Sequence, residues 1–264
     1  MEKNTSIQVG VIGSMGRMGR AVCKAVSISS DLQLVAAVDL TEEGLLPSEI
    51  PDGVFVGSDL NQMVEKGVDV VVDFTTAEAT RKNLPVLAEA GIHAVVGTSG
   101  LTEEDLLEMR GIFLSSNCVI VPNFAIGAAL LMRFAEIASP WFDTAEIVEY
   151  HHDEKVDAPS GTALMTARLM REMRTSNFRH NEPALTHIDG TRGGVEGGVG
   201  IHSVRLPGLV AHQEVIFGGQ GQTLTLRHDS TGRDSFVPGV LLAIREVIEQ
   251  DHLVEGLDQL VGLS

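Results

Sequence analysis

Cysteine, basic residues and long apolar runs are all scarce in this 264-residue chain, and each scarcity excludes a class of protein. The two cysteines, Cys23 and Cys118, can build neither a disulfide framework nor a zinc site. Lys and Arg number 19 against 36 Asp and Glu, a net charge of −17. With a pI near 4.8, the chain lacks the clustered basic surface that nucleic acid or an anionic membrane demands. The longest apolar stretch, Phe124 to Phe134, is interrupted by Gly127 and Arg133 and is too short for a bilayer. The opening residues MEKNTS carry no apolar core of a secretory signal. No internal repeat or low-complexity tract stands out. The expectation is a soluble, cytoplasmic, globular protein with no nucleic-acid or membrane partner.

What is present fits that class. Hydrophobic residues make up 44% and charged residues 21%, ordinary proportions for a folded chain. The length allows one or two domains. In the first half, short β-branched runs at Ile7–Ile12, Leu34–Val38, Val68–Phe74, Ala94–Val96 and Val119–Val121 alternate with helical stretches such as Met18–Ser27, Ala77–Ala90, Glu103–Arg110 and Ala125–Ala138. Continuous apolar strands between helices predict a parallel sheet covered on both faces. The second half reads differently. A strand at Ile147–His151 and a helix at Gly161–Met173 precede strand-like runs at Gly200–Arg205, Gln213–Phe217 and Thr223–His228, then a helix near Phe236–Glu249. Runs of strands without helices between them predict a second, mixed or antiparallel sheet. The glycine-rich stretch Gly190–Gly200 reads as a mobile loop, and Gly218–Gly221 as a hairpin turn. Charge is uneven too. Ala145–Asp234 holds nine Lys and Arg against twelve Asp and Glu, so most of the acidity lies elsewhere, which suits an anionic small-molecule substrate in that region.

Two stretches carry chemistry. The first runs from Val9-Gly10-Val11-Ile12 into Gly13-Ser14-Met15-Gly16-Arg17-Met18-Gly19-Arg20, a strand entering a glycine turn that opens a helix. Glycines let the backbone approach a pyrophosphate, and a helix amino end offers unpaired N–H groups to it. The spacing is GxxGxxG and not the strict GxGxxG, so context matters. Asp39 closes the next strand, 20 residues after Gly19, where a ribose-binding carboxylate belongs. The competing reading is a tightly packed βα turn with Asp39 capping a loop. A carboxylate at Asp39, followed by Leu40 and Thr41 and not by Arg, favours NADH, with NADPH possible through Arg17. Two more strand ends, Val96-Gly97-Thr98-Ser99-Gly100 and Val121-Pro122-Asn123-Phe124, lie where parallel sheets bind ligands. Ordinary turns explain them as well.

The second stretch is Glu149-Tyr150-His151-His152-Asp153-Glu154-Lys155-Val156-Asp157-Ala158-Pro159-Ser160-Gly161-Thr162. Histidine suits proton transfer near neutrality, Lys155 can donate a proton or neutralise a carboxylate, and Ser160-Gly161-Thr162 at a helix start make an anion cradle. Adjacent strand histidines point to opposite faces and Lys155 would repel a cation, so no metal is expected. Ser160 lacks the glycine two residues earlier that a nucleophile elbow requires. A solvated loop with Ser160 as a helix cap is the plain structural alternative, and Asp153 and Glu154 read as surface charge.

At these residues the chain resembles the dihydrodipicolinate (4-hydroxy-tetrahydrodipicolinate) reductase family of the diaminopimelate route to lysine, over nearly its whole length. His151-His152…Lys155-Val156-Asp157-Ala158-Pro159-Ser160-Gly161-Thr162 looks like the family's substrate signature, and Gly13–Arg20 like its cofactor loop. Val71–Thr75, Gly97-Thr98-Ser99, Asn123-Phe124, Gly200–Arg205 and His212–Val215 agree with it. The resemblance implies an α/β protein with a Rossmann-like parallel-sheet domain, 1–122 completed by 235–264, and a smaller α+β substrate domain, 123–234, whose mixed sheet builds a homotetramer. It implies His151 as proton donor or acceptor and Lys155 as a second donor, with His152, Ser160, Gly161 and Thr162 on the carboxylates of a cyclic dicarboxylate. Gly13, Ser14, Met15, Gly16, Arg17, Met18, Asp39, Gly97, Thr98, Ser99, Val121, Pro122, Asn123 and Phe124 would line the dinucleotide. Leu40 stands where some members carry Arg, which bears on NADPH use. The implied reaction delivers hydride to ring C4 of 4-hydroxy-tetrahydrodipicolinate, with loss of water. The rivals are a non-catalytic dinucleotide-binding regulator of the same fold and another nicotinamide dehydrogenase. The intact His–Lys–Ser-Gly-Thr set argues against the first, and the poorly placed cysteines argue against an aldehyde dehydrogenase that uses a thiol.

Overall fold

A computed structural model of the chain describes residues 6–39 and 50–262; Leu40 and Thr41, which bear on cofactor choice, lie outside them. From the amino end the elements are β1 (Ile7–Ile12), α1 (Arg17–Ile28), β2 (Leu32–Val38), β3 (Phe55–Gly57), α2 (Asn61–Glu65), β4 (Val70–Asp73), α3 (Ala77–Glu89), β5 (His93–Val96), α4 (Glu103–Ile112) and β6 (Cys118–Ile120). There follow α5 (Ile126–Ala138), β7 (Thr144–His151), α6 (Gly161–Glu172), β8 (Gly194–Glu196), β9 (Val199–Arg205), β10 (Ala211–Gly219) and β11 (Gln222–Ser230). Last come α7 (Val237–Glu246) and β12 (Leu253–Glu255). No helix among the described residues is long and apolar enough to cross a membrane. The chain divides into two compact units: one ends at Phe124 and resumes at Phe236, and the other is Ala125–Ser235.

The first unit is built on a seven-stranded sheet in the order β12-β6-β5-β4-β1-β2-β3, with every pairing parallel. Its strands have no polar face because helices cover both sides, and β4 is buried at each of its four positions. Each fully buried valine there contributes roughly 1.5–3 kcal/mol. The five expected strands are present. The two extra ones, β3 and β12, are three-residue edge strands, too short to display a period in sequence. The carboxyl-terminal segment belongs to this core: Val240, Ala243, Ile244 and Val247 are fully buried. Arg245 forks onto Asp31 at 2.7 and 3.0 Å.

The second unit carries a five-stranded sheet, order β11-β10-β7-β9-β8. Only β7 and β9 run parallel; the other pairs are antiparallel. Strand β7 alternates, with Ala145, Ile147 and Glu149 buried and the residues between them partly exposed. The buried face packs Ile147, Ile201, Val215 and Phe217 against Leu131 and Ala135 of α5 and Ala163, Ala167 and Met170 of α6. Val148, Tyr150, Val204 and Ile216, half-buried, alternate with that face and so point to the other one.

One expectation changes here. The glycine-rich stretch read as a mobile loop holds β8, paired antiparallel with β9 through Gly197 and Gly198. Both have positive φ, 58° and 86°, the conformation a tight hairpin turn needs. A Cβ on Gly198 would lie 2.0 Å from the Phe178 carbonyl oxygen, so the glycine also admits a close backbone approach. Glycine density marks a turn here, not an absence of structure.

Candidate active site

The glycine loop lies at the carboxyl end of β1, where an open parallel sheet binds ligands. Gly13 turns the chain with φ +78°, and a Cβ there would sit 2.6 Å from the Phe74 carbonyl oxygen. The loop is tied down by its own backbone. Gly13 N–H donates to Val38 O at 2.9 Å, and Gly16 N–H donates to Gly13 O at 3.0 Å. The Ser14 hydroxyl, buried, donates to Val38 O at 3.3 Å. Helix α1 opens at Arg17 with Gly16 as its N-cap and no side-chain cap. Its first-turn N–H groups therefore remain for an anion. A Cβ on Gly19 would fall 2.1 Å from Gly13 O, so this glycine lets helix and loop pack in contact. Asp39 accepts a hydrogen bond from Met15 N–H at 2.9 Å, which is the loop-capping role of the competing reading, performed from the position of a ribose carboxylate. A cradle that side chains would fill, an uncapped helix start and a carboxylate one strand over together fit a dinucleotide.

The neighbouring strand ends are organised by a carboxylate the sequence reading left out of the site. Asp73, fully buried at the end of β4, accepts from Thr75 N–H at 2.9 Å, the Thr75 hydroxyl at 2.6 Å and Asn83 Nδ2 at 3.0 Å. The Thr80 hydroxyl donates to that of Thr98 at 2.9 Å, so the Thr98 side chain points into this network, and only Ser99 and Gly100 are exposed. A Cβ on Gly97 would lie 2.1 Å from the Phe74 ring. Phe74 in turn packs on Phe124, ring centroids 5.5 Å apart. Val121 and Phe124 are buried, Pro122 is exposed and Asn123 is half-buried. The first two can offer a ligand only backbone atoms.

In the second unit, the end of β7 gathers the polar signature around one buried acid. Glu149 and His151 are two apart on a strand and so share a face. Glu149 has no exposed surface. Its Oε2 accepts from His151 Nδ1 at 2.6 Å, and its two oxygens take the Arg205 fork at 2.8 and 2.7 Å. Ser160 N–H donates to its Oε1 at 3.2 Å. Burial alone would raise its pKa, but hydrogen bonds from His151, Arg205 and Ser203 outweigh that and hold it down at about 2. The carboxylate is therefore ionised.

The structure thus joins His151 and Ser160 through Glu149. Lys155 pairs with Asp157 at 2.6 Å, and Arg205 donates to the Asp157 carbonyl at 2.7 Å. His152, Asp153 and Glu154 are exposed. The Ser160 hydroxyl accepts from Ala163 N–H at 3.2 Å as the N-cap of α6, a capping role and not that of a nucleophile. A Cβ on Gly161 would meet nothing within 4 Å, so open space lies over the amino end of this helix. Among the described residues no group of three His, Cys, Asp or Glu could hold a metal. Both cysteines are buried, and burial pushes the Cys118 thiol well above its usual range. Glu149 was not among the residues the sequence assigned to the site, although an E-x-H spacing on a strand is a signal that could have found it. Arg205, 54 residues beyond His151 in sequence, became visible only when β9 paired with β7 and brought the two opposite each other.

The family described as dihydrodipicolinate reductase, N-terminus, matches residues 7–124. Its C-terminus counterpart matches residues 127–261. A 4-hydroxy-tetrahydrodipicolinate reductase of Nocardia farcinica is 48% identical over 98% of this chain and 100% of its own length. One of Mycobacterium marinum is 45% identical over the same shares. Among solved structures, a dipicolinate-bound dihydrodipicolinate reductase from Paenisporosarcina sp. TG-14 has a TM-score of 0.87 at 39% identity, covering 97% of this chain and 99% of that one. A probable dehydrogenase from Thermotoga maritima, at 14% identity and a TM-score of 0.65 over 97% of this chain and 93% of that one, shares the fold alone.

Proposed function

This chain belongs to the dihydrodipicolinate reductase family, and we infer from that membership and from its two half-sites that it reduces 4-hydroxy-tetrahydrodipicolinate to tetrahydrodipicolinate. It is an NAD(P)-dependent oxidoreductase. Substrate, reduced nicotinamide and one proton give product, oxidised nicotinamide and water, which we place in the diaminopimelate route to lysine. When bound, the nicotinamide supplies the hydride for ring C4. The observation that carries the reading is the polar cluster of the second unit. A histidine, a lysine and an uncrowded helix amino end stand together on a buried, charge-balanced frame.

The residue roles follow from what each group can do. The α6 amino end at Gly161 and Thr162, with His152, would hold a ring carboxylate, since unpaired N–H groups and the helix dipole favour an anion there. Ser160 helps by capping that helix and setting its direction. Lys155 would leave Asp157 for the second carboxylate or for the ring nitrogen. Conjugate hydride addition places negative charge on the ring, and His151 or Lys155 supplies the balancing proton. The loop Gly13–Met18, the Gly97–Ser99 turn and the Val121–Phe124 turn would line the dinucleotide, with Asp39 on the adenosine ribose. A carboxylate there prefers a free 2′-hydroxyl over a 2′-phosphate, so NADH is the preferred donor and NADPH a usable one. The outer face of the second sheet, where half-buried Val148, Tyr150, Val204 and Ile216 lie among charged residues, supports a homotetramer, and the cytoplasm is the compartment that fits such a biosynthetic enzyme.

The test is oxidation of NADH and NADPH by the purified protein with freshly made substrate. Turnover with a higher kcat/KM for NADH supports both the reaction and the Asp39 argument. Tight NADH binding without turnover would favour the regulator. Lys155→Ala should lower kcat by about 100-fold or more with NADH affinity unchanged, and an active variant removes its catalytic role. Light scattering gives the oligomer, a tetramer having four times the 28.2 kDa of the chain.

A further inference from the structure

The buried acid beneath His151 is hydrogen-bonded at both of its oxygens. All of its acceptor capacity is used. Oε1 takes Arg205 at 2.7 Å and Ser160 N–H at 3.2 Å, and Oε2 takes His151 Nδ1 at 2.6 Å and Arg205 at 2.8 Å. With a further hydrogen bond from Ser203, a carboxylate held by donors on four residues can neither rotate nor shift. Arg205 is itself pinned, donating to the carbonyls of Val204 at 2.8 Å and Asp157 at 2.7 Å. The acid carries no proton to give, so the short bond to His151 has one sense: Nδ1–H donates and the carboxylate accepts. The lone pair of the neutral ring is then on Nε2.

We propose that Glu149, clamped by Arg205, is a positioning residue that holds His151 in the Nδ1–H form and leaves Nε2 as the nitrogen that exchanges a proton with the substrate. The proposal rests on the reading of His151 as the proton-transfer group. The carboxylate behind it orients the imidazole and fixes its tautomer, as carboxylates do behind catalytic or metal-bound histidines. Arg205 neutralises the acid that would otherwise be left as a buried lone charge. The charged groups around the pair are Arg205 from β9 and, from the loop after β7, Lys155 and Asp157. Strand β10 presents the neutral Gln213 opposite Glu149. Because Arg205 also holds the Asp157 carbonyl, one clamp sets both His151 and the loop that carries Lys155.

The experiment is a double-mutant cycle in the full-length enzyme. Glu149→Gln should lower kcat by about 100-fold while the substrate KM and the NADH dissociation constant change less than about threefold. Glu149→Asp, which keeps the charge, should recover part of that loss. In a His151→Ala background the same Glu149→Gln change should cost nothing further, since an effect transmitted through His151 vanishes with it; losses that multiply would overturn the proposal. Should Glu149→Gln fail to fold, the 15N spectrum of the unaltered protein decides, with the His151 signal identified by its loss in His151→Asn. A neutral ring protonated at Nδ1 supports the proposal, and one protonated at Nε2 overturns it. That spectrum needs no turnover. If the protein oxidises neither NADH nor NADPH with substrate, the reaction assignment fails while the Glu149–His151 pairing is still decided on its own.

Discussion

Glu149 shows how much a single residue can carry. A carboxylate with no exposed surface would cost several kcal/mol if unpaired, so the donors around it are a condition of the fold as well as of the site. Their effect on stability has a definite sign. The group's ordinary pKa of 4.5 is lowered to about 2 in the folded chain, so its contribution is complete above pH 4.5 and is lost as pH falls through 2. A shift of that size corresponds to roughly 3 kcal/mol. The urea midpoints of the wild type and Glu149→Gln should therefore differ at pH 7 and converge between about pH 4.5 and 2. A gap unchanged across that window would mean that the pairing does not stabilise the fold. The histidine was assigned from the sequence and the acid was not, although a period of two on a strand puts Glu149 and His151 on one face. Alternation puts His151 on the Glu149 face, and β7 includes His151 and stops before His152.

Helices and turns decide the nucleotide half-site. Gly13, Gly16 and Gly19 were legible as a loop that opens a helix, yet their separate jobs were not. A Cβ would lie 2.1 Å from Gly13 O at Gly19 but 3.1 Å from it at Gly16. Gly19→Ala must move backbone, at a cost of about 1–3 kcal/mol, and should weaken NADH binding by about tenfold or more as the loop shifts. Gly16→Ala should be milder in thermal stability, since a few tenths of an ångström suffice. If calorimetry and NADH titration reverse that order, close approach of the ligand to Gly16 outweighs helix packing. The same logic explains the misread hairpin at Gly197-Gly198. Composition reports that glycine is there, but only backbone conformation says whether it is a tight turn, a close contact or a flexible run. Thr98 makes the point for polar residues. Its place at a strand end reads as ligand contact, and its hydroxyl is instead taken up by Thr80 and the Asp73 network.

Across the whole molecule, the carboxyl-terminal segment returns to the first unit as α7 and β12. Val240, Ala243, Ile244 and Val247 are fully buried there, and β12 completes the sheet beside β6. A chain ending at Ser235 should lose the cooperative melt of the nucleotide-binding unit together with NADH binding; scanning calorimetry with an NADH titration checks both, and retention of both would show that the segment is dispensable. The sequence by itself determined the α/β class, the parallel sheet and its glycine loop, the mixed second sheet and the family signature. Each of these is written in local periods, turn residues and short motifs. Tertiary structure alone decided that Arg205 clamps Glu149, that Asp73 gathers Thr75, Asn83 and Thr98 and that Asp39 ties down the glycine loop. The physical reason is that a hydrogen bond between distant segments depends on strand order and register, which no local pattern encodes, and buried charges select their partners only once the sheets have formed.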